Sequence, residues 1–534
     1  MHLRVWAAGR GFWNDELAIA LNLPRPVERL AGGLLYYQVA PLGWLSLEKA
    51  LHDHVSDSER VLRLPSLFAS IVVLAFTTLL VHRILGRWSG LLATLLVAGA
   101  PILQQYTGEL KQYAFEAAVT VSLLLLVDEY GRRSPRSSRQ RWLLALAIGV
   151  PTMLLMPFSY PGVLVLGGAI AGVAVWLARQ RRWADAVALA VSGIPALALS
   201  AFLILLRMSH SFLPGQQTYF TWGMPLPGSG VVGVLEWLPR MWVRFVETPL
   251  MLRFPVLVLA LIVAGVVGLA RRGRGRYALM LVGVMLAAVA AAAAQGLPVV
   301  DRVATYLVPP ALILVTAGVD AVVRSVRWLV LHRIGQPRAT PWRVAGAAAA
   351  TVLASALVLL LAAPAFVKVA RGMVTPSYRD SGREVLADVA DRIRPGDLVV
   401  LYWFSDKLGR WYGKRYGIDN YLLARLEPAS GGTCPGQRVD TVLAGHQRVW
   451  YVRGVKLSSD PADFTRQVAG ELARHGRVVQ ARYFGTADGR PDDDADGLAN
   501  GPGWVLVDLT AGPDPNPPAI APDASRTCLV LSKP

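Results

Sequence analysis

The chain has 534 residues, 54% of them hydrophobic and only 17% charged. Soluble domains carry roughly a quarter charged residues, which argues against one large water-soluble core. The net charge is +18, but the basic residues fall in short segments between apolar runs and no groove-reading motif accompanies them, which argues against a nucleic-acid partner.

The first residues, "MHLRVWAAG", carry no continuous apolar stretch and so no signal-peptide pattern. They read instead as the remnant of a first span that begins upstream. "GFWNDELAIAL" (11–21) follows, with the acids Asp15 and Glu16 behind Phe12 and Trp13. The segment 27–55 is rich in Tyr and Trp and interrupted by Pro41, which predicts outer-face helices lying along a membrane.

Apolar runs then recur at about 62–84, 89–105, 111–130, 142–157, 161–178, 184–206, 250–270, 277–295, 304–323 and 343–363. Runs of roughly twenty apolar residues predict membrane spans. The connecting segments alternate. "HRILGRW" (82–88), "GRRSPRSSRQRW" (131–142), "ARQRRW" (178–183), "ARRGRGRY" (270–277) and "RSVRWLVLHRIGQPR" (324–338) are basic, whereas 104–113, 157–162, 209–228 and 295–301 are not. The basic five are expected in the cytoplasm. The pair Asp15–Glu16, the 104–113 and 208–249 loops and everything after about 364 are then expected outside.

Beyond about residue 365 the apolar runs stop and Gly, Pro and Asp rise. Helical spacing at 381–393 and 460–476, the latter with Asp460 as cap and Gly476 as stop, alternates with strand-like 397–403, 448–454, 477–484, 503–509 and 528–532. The expected fold is a polytopic α-helical membrane protein of about ten or eleven spans (1–364) with a C-terminal extracytoplasmic α/β domain (365–534). Both cysteines, Cys434 and Cys528, fall in that domain. Outside the cytoplasm they can oxidise to a disulfide; two buried thiols are the alternative. The acidic run at 492–496 lacks the spaced ligands of a calcium loop and reads as solvated.

Two outer loops carry acids next to apolar helices: "WNDE", and "QQYTGELKQYAFEAA" with Glu109, Lys111, Tyr113 and Glu116. Ionisable groups near a bilayer are costly and are usually paired or working. Taken singly, Asn14 or Asp15 can be a helix cap, and Glu109 can complement a helix dipole.

The stretch "FWNDELAIAL", "APLGWL", "SERVLRLPSLFASIVVL" and "GAPILQQYTGELKQYAFEAAV", with "DRVATYLVPPALILV" (301–315) more weakly, resembles polytopic glycosyltransferases of the GT-C superfold, in particular the protein-O-mannosyltransferase and aminoarabinose-transferase branch. "WNDE" matches the family's acidic pair, "APLGW" its proline segment, "LRLPS" its span entry and "TGELKQY" its S-Q-E-A-R-x-Y loop. Gly108 and Lys111 stand where that loop usually has Gln and Arg, and "APLGW" replaces P-P-L-Y-Y.

The resemblance implies transfer of a sugar from a polyprenyl-phosphate donor to a hydroxyl acceptor at the outer face of a bacterial plasma membrane. It puts Asp15, with Glu16 and Glu109, in the catalytic role. A carboxylate must take the acceptor's proton, and direct displacement inverts the anomeric centre. The leaving phosphate needs fixed cations, for which Lys111 and Arg302, and more weakly Arg63, are candidates. For Arg63, snorkelling to headgroups is the simpler reading. Tyr113 and Trp13 would position substrate or anchor at headgroup depth. Some members of the superfold use a divalent cation, and two carboxylates alone make a weak site for one. The rival classes are a transporter or flippase of a lipid-linked sugar, for which no internal repeat is visible, and a scaffold whose outer domain binds a partner.

Overall fold

A computed structural model describes residues 2–211, 223–333, 341–374, 382–428, 439–455, 464–484, 502–518 and 527–534. The chain divides into two compact units, one of Met1–Ala8 with Arg25–Met373 and one of Gly9–Pro24 with Val374–Pro534. The segment carrying Asp15 and Glu16 thus clusters with the C-terminal residues.

The first unit is helical. Six helices among the described residues are long and apolar enough to cross a membrane: Leu64–Leu85, Ser138–Phe158, Gly162–Arg179, Trp183–Leu206, Gly275–Ala293 and Asp301–Leu329. Each coincides with a predicted run. The 89–105 run is two helices, Arg87–Ala98 and Pro101–Thr107, because Gly99 closes the first and Pro101, lacking an N–H, can only start the next. The 111–130 run is Tyr113–Arg132, the 250–270 run is Pro255–Arg271, and the last lies in Pro341–Val374.

The 27–55 segment forms the short helices Val27–Gly32 and Leu42–His54, with Pro41 as the N-cap of the second. One helix was not foreseen. Gly230–Glu247 lies in what reads as a loop, burying Trp237, Met241 and Phe245 on one side while Val231, Val232 and Leu235 are exposed. Its apolar residues keep helical spacing, and Pro239 inside it disguises the pattern.

The alternation of basic segments has a direct structural counterpart. Asp128 is fully buried and pairs with Arg276 at 3.0 Å and Arg83 at 3.4 Å. Asp185 accepts from Arg141 at 2.6 Å and Arg182 at 2.7 Å. Asp320 is paired with Arg272, and with Arg324 at 3.0 Å. Arg182 also donates to the Arg133 carbonyl, and Arg274 to that of Ile84. These six carboxylate-bound arginines come from all five basic segments, whose bonds to Asp128, Asp185 and Asp320 gather the helix ends in clusters of shared partners.

The non-basic segments are likewise joined to one another. Tyr160 donates to the Ala40 carbonyl, Gln112 to that of Val39, and Gln295 to that of Pro225. Between the ends, glycines let backbones touch. A Cβ on Gly172 would fall on the Leu279 carbonyl, and one on Gly318 on that of Leu261. Such contact gains dispersion and leaves no room for a side chain.

The second unit holds a six-stranded mixed sheet in the order β4-β5-β3-β1-β2-β6. The strands are β1 (Leu398–Tyr402), β2 (Tyr421–Pro428), β3 (Arg448–Arg453), β4 (Arg477–Tyr483), β5 (Gly503–Asp508) and β6 (Thr527–Ser532). β1 runs parallel to β2 and β3, and the outer pairings are antiparallel. Central β1 is buried at all five positions, as a strand covered on both faces must be. Helices Gly382–Ala390, Asp406–Tyr412 and Phe464–Ala473 accompany it. β2 and the 406–412 helix were not foreseen; the other five strands and the 381–393 and 460–476 helices were. Cys528 on β6 is disulfide-bonded, while Cys434, Asp460 and the acidic run 492–496 lie outside the described residues.

Under the sheet, Asp397 gathers a dense set of donors. Arg448 grips it with Nε at 2.9 Å and Nη2 at 2.5 Å, Trp450 Nε1 donates at 2.9 Å and the Arg394 N–H at 2.8 Å. Burial opposes ionisation of Asp397, but these bonds prevail and hold its carboxyl below the usual range.

Candidate functional site

The candidate residues fall in two places, one in each unit. In the first unit the 108–112 turn joins helix Pro101–Thr107 to helix Tyr113–Arg132. A short polar loop between helices is normally on the surface. Here every residue from Tyr106 to Tyr113 is buried, Glu109 and Lys111 included. Ser66, in the first turn of Leu64–Leu85, donates to the Glu109 carbonyl at 2.9 Å and the Lys111 carbonyl at 3.3 Å, fixing the turn. The Lys111 N–H closes back on the Glu109 carbonyl at 2.9 Å. Gly108 faces Val5 so closely that a Cβ there would overlap it. The glycine that departs from the family pattern therefore has a packing reason.

The charged ends are oriented by amides. Gln105 Nε2 donates to Glu109 Oε1 at 2.9 Å, and Lys111 Nζ donates to Gln38 Oε1 at 2.7 Å. Gln38 lies in the proline-containing segment, so that segment and the 104–113 loop meet at Lys111. Neither glutamine was identified from the sequence. Gln105 stands one helical turn before Glu109, which is the only signal that pointed to it.

Tyr113 packs its ring 4.7 Å from that of Tyr106. Arg63 is 3% exposed, so it is a buried group and does not reach out as a snorkelling side chain does. Arg302 is half-buried in the turn Asp301–Leu307, its carbonyl accepting from Thr305. That turn packs on helix Tyr113–Arg132, which places Arg302 in an element touching the helix that leaves the Glu109 turn.

In the second unit, helix Asn14–Ala20 carries the acidic pair. The two acids differ. Glu16 is 1% exposed and its Oε2 accepts the Trp13 N–H at 3.1 Å, so Glu16 satisfies the N-cap backbone at its own helix start, one half of a capping box. The sequence left Asn14 or Asp15 as the cap. Asp15 is half-buried, and Trp13 is the N-cap residue.

Helix Asp406–Tyr412 packs on this segment. Lys407 Nζ donates to Asn14 Oδ1 at 2.8 Å, and the Phe12 N–H donates to the Tyr412 hydroxyl at 2.9 Å. Among the described residues no group of three or more His, Cys, Asp or Glu side chains assembles.

Membrane-length helices joined in sequence to a mixed α/β unit define a polytopic membrane protein with a C-terminal sheet domain. No protein-family model matches the chain, and no curated protein matches it. Solved structures do. The chain is similar to ArnT from Cupriavidus metallidurans in the apo state, at 14% identity over 96% of this chain and 97% of that one, with a TM-score of 0.49. It is similar to the same protein bound to undecaprenyl phosphate, at 15% identity over 96% and 98%, with a TM-score of 0.48. It is also similar to the archaeal oligosaccharyltransferase AglB from Archaeoglobus fulgidus in complex with an inhibitory peptide and a dolichol-phosphate, at 12% identity over 92% and 70%, with a TM-score of 0.42.

Proposed function

We propose that the protein is a membrane glycosyltransferase that moves a sugar from a polyprenyl-phosphate-linked donor to a hydroxyl of a cell-envelope glycan, lipid or protein, on the outer face. The observation that carries this reading is the buried turn holding Glu109 and Lys111. Taking two charges out of water costs several kcal/mol each by rough estimate, and a loop with only a connecting role would leave them exposed. The "WNDE", "LRLPS" and "TGELKQY" motifs support the same class.

In this reading Asp15, the more open of the two adjacent acids, is the general base. The acceptor oxygen attacks the anomeric carbon, its proton passes to the Asp15 carboxylate, and the bond from that carbon to the phosphate oxygen breaks. Polyprenyl phosphate leaves, and the configuration inverts. Lys111 and Arg302 offset the charge gathering on the phosphate, with Arg63 a weaker third. Glu109, held by Gln105, orients the acceptor. Tyr113 and Trp13 shape the site. Glu16 keeps the Asp15 helix start in form through its cap. No step is routed through a metal ion.

The test is transfer by the full-length protein in proteoliposomes, supplied with polyprenyl-phosphate sugars and with envelope extracts as acceptor. Release of polyprenyl phosphate that stops in Asp15→Asn supports the reading. Movement of an intact lipid-linked sugar across the bilayer without release would make the protein a flippase. Unchanged envelope glycans by mass spectrometry after gene deletion would leave the scaffold reading. A C-terminal alkaline phosphatase fusion is expected to be active, placing the sheet domain outside.

A further inference from the structure

Residues 9–24 are as much a part of the C-terminal domain as its own helices. Arg383 donates to the Gly9 carbonyl at 3.0 Å, and a Cβ on Gly11 would meet the Arg383 Cβ at 2.7 Å, so only glycine fits. Phe12 is buried, with its N–H on the Tyr412 hydroxyl and its ring edge-on to Trp411 at 5.9 Å. One turn earlier on the same helix, Lys407 reaches Asn14, the residue beside Asp15, with its ammonium 4.5 Å from the Phe404 ring centre. A shallow cleft beside these groups is lined by Phe12, Asn14, Leu17, Phe404, Ser405 and Leu408 among others.

We propose that the C-terminal domain is part of the catalytic apparatus, and that Lys407 is the residue that positions the Asp15 carboxylate for the acceptor hydroxyl. This rests on Asp15 being the base. A carboxylate on a seven-residue helix cannot be held by that helix alone. Lys407 ties its neighbour down and sets a cation in its field.

Burial pushes the Lys407 ammonium down, while the negative charges of Asp15 and then Asp406 push it back up; burial prevails. The other charged groups around the helix are largely paired or spent. Asp406 holds Arg410 at 2.8 Å and accepts from Tyr421 at 3.1 Å. Arg383 holds Glu384 at 2.8 Å, and Glu16 caps its helix. Lys414 and Arg415 lie in the following turn.

The experiment uses the full-length protein in proteoliposomes with the donors named above. Lys407→Met is expected to lower kcat by about tenfold or more through lost orientation while donor KM stays near the wild-type value. Lys407→Arg, which keeps the cation and its N–H donors, restores kcat. Tyr412→Phe, which removes the acceptor of the Phe12 N–H, slows turnover less, because Lys407 still holds Asn14. If Lys407→Met does not fold, Lys407→Ala, which equally cannot donate to Asn14, carries the same expectation.

Wild-type kcat in Lys407→Met overturns the proposal, as does a kcat that arginine does not restore. The two readings fail separately. Transfer surviving in Asp15→Asn removes the base itself. Loss in Asp15→Asn with a wild-type-like Lys407 variant removes only the positioning role.

Discussion

The Lys111 ammonium donates to Gln38 Oε1 at 2.7 Å across 73 positions of sequence. The Gln38 amide oxygen orients the Lys111 side chain. If Lys111 meets the donor phosphate, Lys111→Met is expected to lower kcat/KM by about 10²-fold, the scale of losing one fixed donor at a developing anion. Steady-state release of polyprenyl phosphate measures it. Gln112→Leu, which loses only a bond to the Val39 carbonyl, is expected to stay near wild type.

Glu48 lies in helix Leu42–His54 with no exposed surface, and neither carboxyl oxygen has a hydrogen-bond partner among the described residues. Burial pushes its carboxyl well above the usual carboxylate range. The folded protein therefore keeps a proton that the unfolded chain releases. The stability tied to this group is fully present below the unfolded value near 4.5 and declines as pH rises beyond it. Glu48→Gln, neutral at every pH, is expected to match wild type near that acid end and to melt at higher temperature than wild type in mildly alkaline buffer. Thermal unfolding across pH checks this, and a constant difference between the two proteins would refute it.

Asp397 gives the opposite sign. Its carboxyl is held below the usual range by Arg448, Trp450 and the Arg394 N–H against the effect of burial. The stability it contributes is present above the unfolded value and is lost as pH falls through the folded one. Asp397→Ala leaves Arg448 and Trp450 without their acceptor and is expected to destabilise the sheet domain by about 3 kcal/mol. A lower unfolding midpoint of Asp397→Ala than of wild type, in the full-length protein, checks this.

Gly172 and Gly318 sit where helices touch backbone to backbone. Gly172→Leu is expected to cost about 3 kcal/mol, at the upper end of overpacking, and to reduce the yield of monodisperse protein in detergent. Gly167, with open space around its Cβ position, is the control, and its alanine variant should behave as wild type.

How much was legible from the chain follows from which forces are local. Run length and loop charge are local, so the six membrane-length helices and the clustering of the basic segments were readable from the apolar runs and from arginines such as Arg83, Arg141 and Arg276. Five strands were readable because "LVVLY" and its like are short, apolar and bounded by turn residues. β2 was missed because "YLLARLEP" interrupts its apolar positions with Arg425 and Glu427, and the Gly230–Glu247 helix because Pro239 reads as a break. The acids were visible as residue types in a motif, but their division of labour was not. Glu16 rather than Asp15 caps the helix, because the Trp13 N–H lies within reach of the acid three positions on.

The sequence alone determined that this chain spans a membrane, ends in an α/β domain and carries acids in two loops beside apolar helices, since composition, period and charge bias act over a few neighbours. Only the tertiary structure decided that the 9–24 segment belongs with the C-terminal domain and that Lys111 turns to Gln38. It also decided that Lys407 stands next to the acidic pair. Those contacts join positions tens to hundreds of residues apart, and no local preference specifies them; they form only where the folded backbone of each unit brings donor and acceptor within hydrogen-bond distance.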